Sequence, residues 1–406
     1  MYQKLNQYDC TLESYNSIQS KLTNEFQQTL SKKKVFLAID GYIDSLYSVI
    51  KTRENSNNYT EFKTIKELAD RLYRIQGSSG NLEIKLKKKT SGGFVPNNGK
   101  ALSTLNINVS LFGALGYPEI CDIFKPMITK KNIDLFSYNN PAKTVGLEFN
   151  DGKIMLSDFQ NLSHIKWGLI TDRVGSDMIF HKLEDSDAIG FGYWSLNPAL
   201  SNIWKNLTDT IFPSIKDLNK KLFFIDLGDL KKCTKPNILE MVKIVQNIEK
   251  QIPVLLSLND QEAIDLSSIL KCKTPIKPNK NSFMDFIDAG ELLNKELKLS
   301  YLVIHSPHFA TISLKKNEKH YWITEGFTSK PSYTVSAGDH FLSGVITGFL
   351  GNLDSPESIL IGNALTAIFV RTGFSPNFNQ LKLFTKNYMD YIENDNPNFP
   401  YNNLKI

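Results

Sequence analysis

The chain is predicted to fold as an α/β protein: a mostly parallel sheet covered by helices on both faces, with a small second sheet projecting from it. Two observations carry this. Short apolar runs recur with helix-length segments between them, and parallel strands need such crossovers. Three stretches, near 45–50, 82–88 and 145–156, alternate apolar and polar residues instead, the mark of strands with one wet face. At 406 residues the chain can hold one large α/β domain or two smaller ones, and either buries a substantial core.

Leu12, Tyr15, Ile18, Leu22, Phe26 and Leu30 keep helical spacing, so one amphipathic helix is predicted over 12–30. Lys32, Lys33 and Lys34 place cations at its negative end. Val35–Ile39 reads as the first buried strand, with Asp40-Gly41-Tyr42-Ile43-Asp44 at its C-terminal end. Phe62, Ile65, Leu68, Leu72 and Ile75 predict a second helix over 60–75. Leu82–Lys87 alternates with period two. A helix over 100–106 follows the stretch Ser91-Gly92-Gly93-Phe94-Val95-Pro96-Asn97-Asn98-Gly99, and 108–115 returns to strand. Residues 145–149 and 153–156 flank Asn150-Asp151-Gly152 as a hairpin with an Asp-Gly turn. Downstream, 188–190, 222–225, 254–258 and 302–304 are strands, with helices over 238–248, 261–270, 341–350 and 359–370. The Asn- and Pro-rich tail, 393–403, is expected to be loosely held.

Composition narrows the class. Hydrophobic residues make up 41% and charged residues 22%, ordinary for a soluble globular protein. The net charge of +5 comes from scattered lysines with no long basic block, which argues against a nucleic-acid partner. Cys10, Cys121, Cys233 and Cys272 are far apart and lack metal-ligand spacing, so a reduced, cytoplasmic protein is expected. Met1–Thr11 is polar, unlike a signal peptide, and the apolar runs are strand-sized, so no membrane partner is expected.

The stretch with the most chemistry is Thr334-Val335-Ser336-Ala337-Gly338-Asp339-His340-Phe341, a small-residue turn opening into an apolar helix. Such a turn presents backbone N–H groups without helical partners, and with the helix dipole they make an anion site. Asp339 at its lip suits removal of a proton from an incoming hydroxyl, and the amides suit a transferring phosphoryl group. Ser336-x-x-Asp339 before an apolar run is also the pattern of a helix cap. The strand 254–258 runs into Asn259-Asp260-Gln261-Glu262. These residues form either another cap or a place where Glu262 holds hydrated Mg²⁺, a hard ion that prefers carboxylate and retained water. Gly92-Gly93 with Asn97 reads as a plain glycine turn or as backbone approaching a polar ligand. Asp44 is a solvated loop acid or an acceptor for two adjacent hydroxyls. Lys85, Lys87, Lys88 and Lys89 either protect a sheet edge from pairing or gather a phosphorylated ligand.

Ligands of open α/β sheets bind beyond the carboxyl ends of the strands, where each of these stretches falls. Their order is a carboxylate after the first strand, Gly-Gly-x-x-x-Asn opening a helix, strand-Asn-x-x-Glu, and a late Ala-Gly-Asp. It resembles the PfkB (ribokinase-like) family of carbohydrate and nucleoside kinases from about Val35 to Gly373. The resemblance implies a ribokinase-like three-layer αβα sandwich over 35–385, an N-terminal helical extension (1–34) and a C-terminal tail (386–406). The projecting strands become a lid that closes over substrate and excludes water. Some members pair through their lids, which implies a homodimer as one arrangement.

Residue by residue, the resemblance makes Asp339 the base for the acceptor hydroxyl. Ala337 and Gly338 supply anion-hole amides for the γ-phosphoryl group of ATP, with Ser336 in place of the turn's usual first glycine. Asn259 and Glu262 order Mg²⁺ and phosphates, largely through water. Asp44, Gly92, Gly93 and Asn97 bind acceptor hydroxyls. Several positions depart from the family. Phe94 stands where many members have Lys or Asn, which implies an unusual or bulkier acceptor. Gly116-Tyr117-Pro118 lacks the usual acidic residues, and Tyr333 sits where Asp is common. His305-Ser306-Pro307-His308-Phe309-Ala310 replaces Thr-x-Gly-x-x-Gly on the nucleotide side. His305 and His308 invite a metal-site reading, but no third ligand lies at a helpful spacing.

The expected activity is phosphoryl transfer from ATP, with Mg²⁺, to a hydroxyl of a sugar or sugar-like acceptor. A nucleoside acceptor, with Phe94 and Tyr42 stacking on its base, is one alternative. A ligand sensor on a kinase fold that has lost its nucleotide site is the other.

Overall fold

The computed structural model of the chain describes residues 7–272, 283–316 and 319–399. Its centre is a nine-stranded sheet. From one edge the strands run His320–Thr324, Phe309–Leu314, Tyr301–His305, Val254–Asn259, Leu222–Asp226, Ala188–Gly192, Lys34–Ile39, Asn108–Gly113 and Ile133–Ser137. From Tyr301–His305 onward all neighbours are parallel; the first two strands form an antiparallel edge. Side-chain alternation shows why both faces are covered. Phe36, Phe223, Leu256 and Ile304 point into one apolar cluster, whereas Val35, Phe224, Leu255 and Val303 point into another. Each such buried side chain is worth roughly 1.5–3 kcal/mol, so neither layer of helices is dispensable.

The second sheet stands on the long strand Tyr42–Arg53, which leaves the central sheet through Asp40-Gly41. That strand pairs antiparallel with Tyr59–Glu61 and Ile84–Gly92 and parallel with Ala142–Phe149, which forms the expected hairpin with Gly152–Asp158. Val49, Phe62 and Leu68 make a small core of its own beneath it.

Several elements differ from expectation for local reasons. The single N-terminal helix is two, Gln7–Gln19 and Asn24–Lys32, because the Thr23 hydroxyl accepts from the Phe26 N–H and starts a new helix. Ile18, Leu22 and Leu30 are fully buried, so this segment closes part of the core. The helix expected over 60–75 begins as strand Tyr59–Glu61 and turns helical only at Ile65, after the Thr64 cap. The helix expected over 100–106 starts at Phe94, because the Asp40 carboxylate, distant in sequence, accepts from the N–H groups of Phe94 (3.0 Å) and Val95 (2.9 Å). The stretch expected to be loosely held is tied down at single points over 393–399. Asp395 accepts from the Ser329 N–H at 2.9 Å, and Phe399 is buried. Residues 400–403 lie outside the described residues. No helix among the described residues is long and apolar enough to cross a membrane.

Candidate active site

Two cavities of about 450 and 460 Å³ open beyond the carboxyl ends of the parallel strands, and Thr334 lines both. The first lies under the second sheet, the expected lid, and is lined by Asp44, Lys88, Asn97, Lys100 and Ser336 among others. The second is lined by Asn259, Asp260, His305, Glu325, Ala337 and Gly338 among others. The turn Thr334–Gly338 is therefore the wall between them.

That turn is not a side-chain cap. Ser336 precedes helix Ala337–Leu350 at φ 72°, ψ 11°, and makes no capping bond. A serine at this left-handed position carries a cost of roughly 1 kcal/mol that glycine would not. Its carbonyl accepts from the N–H of His340 at 3.2 Å and lies 2.8 Å from His340 Nδ1, which fixes the turn. The Ala337 N–H is engaged by the Thr334 carbonyl at 3.3 Å, whereas the Gly338 amide lies in the first helical turn, where donors lack intrahelical partners.

Asp339 is buried directly behind the turn and lines neither cavity. Its Oδ2 accepts from Asn97 Nδ2 at 2.9 Å, and its Oδ1 from the Tyr193 hydroxyl at 2.7 Å and Asn98 Nδ2 at 3.3 Å. Asn97 itself lines the lid-side cavity, so the carboxylate stands one side chain behind that wall. Burial pushes its pKa well above the carboxylate range, and the negative charges of Asp226 and Asp40 add to this. The bonds from Tyr193 and Asn97 oppose it.

Asp44 lines the lid-side cavity. Burial raises its pKa, against a bond from Thr144 and the charge of Lys100. Gly92 and Gly93 line neither cavity; they let other groups approach. A Cβ on Gly92 would lie 2.0 Å from Asp44 Oδ2, and Gly93, at φ 99°, passes close to Asp40 and Tyr42. Lys100 is a buried ammonium in the same cavity, bonded to Ser91. Burial lowers its pKa to about 8, although Asp44 pulls it up.

Asn259 and Glu262 form the capping box that the sequence allowed: Asn259 Oδ1 accepts from the Glu262 N–H, and Glu262 Oε2 from the Asn259 N–H. Asn259 and Asp260 line the second cavity, with Glu262 buried behind them. Burial raises the Glu262 pKa to about 9, and the charges of Asp226 and Asp229 contribute.

Other expectations fail on packing. Phe94 is fully buried, its ring 6.1 Å from Tyr193 and 6.0 Å from Phe224, so it belongs to the core and does not shape the acceptor. Tyr42 is buried against Phe159, and neither ring can stack on a base. His305 stacks on Phe341 at 4.4 Å, and burial lowers its pKa to about 4. His308 packs on Phe327, and among the described residues no group of three or more metal-ligating side chains could hold a metal.

Sequence reasoning missed Asn98, Lys100, Tyr193 and Asp226. Asn98 and Lys100 flank Asn97 at spacings that share its end of the helix, which was a usable signal. Tyr193 and Asp226 stand at the ends of strands Ala188–Gly192 and Leu222–Asp226, where ligand sites of such sheets gather.

Comparison with known proteins agrees with this arrangement. A family model described as prokaryotic ketohexokinase matches residues 13–388. A ketohexokinase from Haloferax volcanii is 25% identical over 364 residues, covering 89% of this chain and 92% of that protein. Among solved structures, Arabidopsis thaliana ribokinase complexed with ribose and ATP superposes with a TM-score of 0.60 at 12% identity, covering 87% of this chain and 98% of that one. A carbohydrate kinase from Agrobacterium tumefaciens gives 0.58 at 15% identity (87% and 97% covered). Adenosine kinase from Sinorhizobium meliloti gives 0.58 at 14% (88% and 99%). At those identities the structures speak for the fold, and the fold is ribokinase-like. With nearly the whole chain matched by one family model and a curated relative of like length, the chain belongs to the prokaryotic ketohexokinase family, sugar kinases of the PfkB type.

Proposed function

We propose that the protein phosphorylates a ketohexose, binding the sugar in the lid-side cavity and the triphosphate of ATP in the other. The observation that carries this is the shared turn: one cavity ends at Ser336, the other at Ala337 and Gly338, and Asp339 lies directly behind. A hydroxyl and a phosphoryl group held on opposite sides of one turn need only to be aligned, because phosphoryl transfer asks mainly for position and charge compensation.

Asp44, Asn97 and Lys100 orient the sugar hydroxyls, and the Gly338 amide with the helix dipole faces the transferring group. Asp339 takes the proton of the attacking hydroxyl. Its carboxylate reaches the sugar by exchanging the Asn97 bond for one to the substrate. A carboxylate of raised pKa is a stronger proton acceptor once ionised, which suits a weakly acidic alcohol.

Mg²⁺ fits the donor set on the nucleotide side. The ligands available near Asn259 are carboxyl oxygens, and the charge of Asp226 lies close enough to add to the rise in the Glu262 pKa. Glu262 and Asp226 would hold the ion largely through its retained waters. When bound, it supplies charge compensation to the phosphates.

Two further expectations complete the proposal. Ile84, Leu86 and Leu156 are exposed apolar residues on the lid strands, which supports a homodimer joined through the lid. All four cysteines are free, which suits the reducing cytoplasm. The test is a coupled assay with ATP and Mg²⁺ across ketohexoses, aldohexoses and nucleosides. Turnover highest with a ketohexose is expected; turnover confined to nucleosides, or none with any acceptor, contradicts the proposal.

A further inference from the structure

Glu325 has no part in the chemistry above. It follows strand His320–Thr324, is 4% exposed, and lines the nucleotide-side cavity. Its Oε1 is buried without a hydrogen-bond partner. The natural compensating charge is engaged elsewhere. Arg371 donates through Nε to the Asn396 carbonyl, and through its terminal nitrogens to the carbonyls of Gly326, Ala367 and Phe327. Buried polar atoms are nearly always satisfied, so an orphaned one on a residue that lines a cavity points to a ligand atom beside it.

The surroundings say which part of a ligand. Pro307, Phe327, Phe341 and Val370 give this cavity apolar walls suited to the faces of a flat ring. Phosphates belong at the turn, where the Gly338 amide lies in the first turn of helix Ala337–Leu350. The ring, free of charge, is the part that can enter beneath apolar walls and meet a group as buried as Glu325. Burial pushes the pKa of this carboxyl well up, with the charge of Arg371 opposing. In its protonated form the carboxyl offers one donor beside one acceptor.

Resting on the kinase reading for the nature of the ligand, we propose that Glu325 is a specificity residue for the phosphoryl donor. It accepts a hydrogen bond from the exocyclic amino group of a purine base and donates one to the adjacent ring nitrogen. Such an edge contact selects by base where the apolar walls alone would accept any flat ring.

The test is calorimetric binding of three nucleotides with Mg²⁺ and no sugar: ATP, purine riboside 5′-triphosphate, which lacks the amino group, and 2′-deoxyATP. The wild type is expected to bind ATP about tenfold more tightly than the purine riboside analogue, the size of one hydrogen bond. Glu325→Leu should bring the two within about twofold, while Glu325→Gln, which keeps a donor beside an acceptor, should retain most of the preference. The ratio of ATP to 2′-deoxyATP should not change in either variant. An unchanged ATP preference in Glu325→Leu overturns the proposal, and so does a change confined to the 2′-deoxy ratio, which would place the acid at the ribose. A wild-type ratio near one, or no nucleotide binding at all, overturns it without any variant and so covers a Glu325→Leu protein that fails to fold. Binding with the expected pattern but no sugar phosphorylation would sink the proposed function and leave this inference standing. Ketohexose turnover with a base preference insensitive to Glu325 would do the reverse.

Discussion

The two cavities that meet at Thr334–Gly338 are built on opposite plans. On the lid side the polar side chains hold one another: Asp339 takes bonds from Asn97, Asn98 and Tyr193, and Asn98 in turn accepts from Ser343 at 2.7 Å. In the other cavity, which the proposal gives to the nucleotide, the walls are largely apolar, His305 is stacked on Phe341, and Glu325 has an oxygen without a partner. Preorganised polar groups cost little to reorganise when charge moves, which is what the reacting hydroxyl needs. A site that only holds a donor can leave a group waiting for its ligand. Chemistry is therefore expected to be sensitive to changes on the lid side, and donor choice to changes on the other.

The largest effect short of removing Asp339 itself is expected at Asn97. Asn97→Ala takes away a donor to Asp339 and a wall of the sugar cavity together, and kcat/KM should fall about 10–150-fold, the range for a hydrogen bond to a charged group. Steady-state kinetics with ketohexose varied would show it; a loss below threefold would mean that the wall is passive. Tyr193→Phe should cost about tenfold and also move the pH profile. The Tyr193 bond lowers the Asp339 pKa, so its loss raises that pKa. Asp339 acts only when ionised, and the acid limb of kcat/KM should therefore shift to higher pH. An unmoved limb would detach Tyr193 from the base.

The buried carboxyls make a separate prediction about stability. Burial raises the Asp226 pKa to about 6 from its ordinary 3.8. The folded state then binds more protons than the unfolded state between those values, so stability is highest below them and falls as pH rises through about 6. Asp226→Asn, which keeps an acceptor for the Gly228 N–H, removes this loss. It should be more stable than wild type at pH 8 by on the order of 1–3 kcal/mol, while catalysis suffers. Urea denaturation at pH 4 and pH 8 checks both sign and window. The smallest effect belongs to Ser336→Gly, which relieves the left-handed backbone: a gain of about 0.5–1 kcal/mol in the same denaturation experiment, with kcat changed less than threefold. A loss of stability would mean that the serine makes a contact outweighing its strain.

Most of the architecture was legible because the strands are short, apolar and separated by crossovers, and because the wet-faced strands of the lid announce a different sheet. What sequence could not show is where distant groups act locally. Helix Phe94–Thr104 begins where it does because of Asp40, more than fifty positions earlier, and Phe94 is core for the same reason. The segments that line the two cavities were legible as a set. Of the two readings of Ser336-x-x-Asp339, the side-chain cap does not form, since Ser336 is left-handed and Asp339 looks inward toward Asn97 and Tyr193. The hydrogen-bond partners of Asp339 come from helix Phe94–Thr104 and from the end of strand Ala188–Gly192, and only one of them, Asn97, stood in a recognisable motif.

The most direct measurement is kcat for Asp339→Asn with ATP, Mg²⁺ and a saturating ketohexose, alongside calorimetric binding of the sugar. The account predicts a fall of about 10²–10⁴-fold in kcat with sugar affinity held within a few-fold. Equal kcat in the two proteins would contradict it.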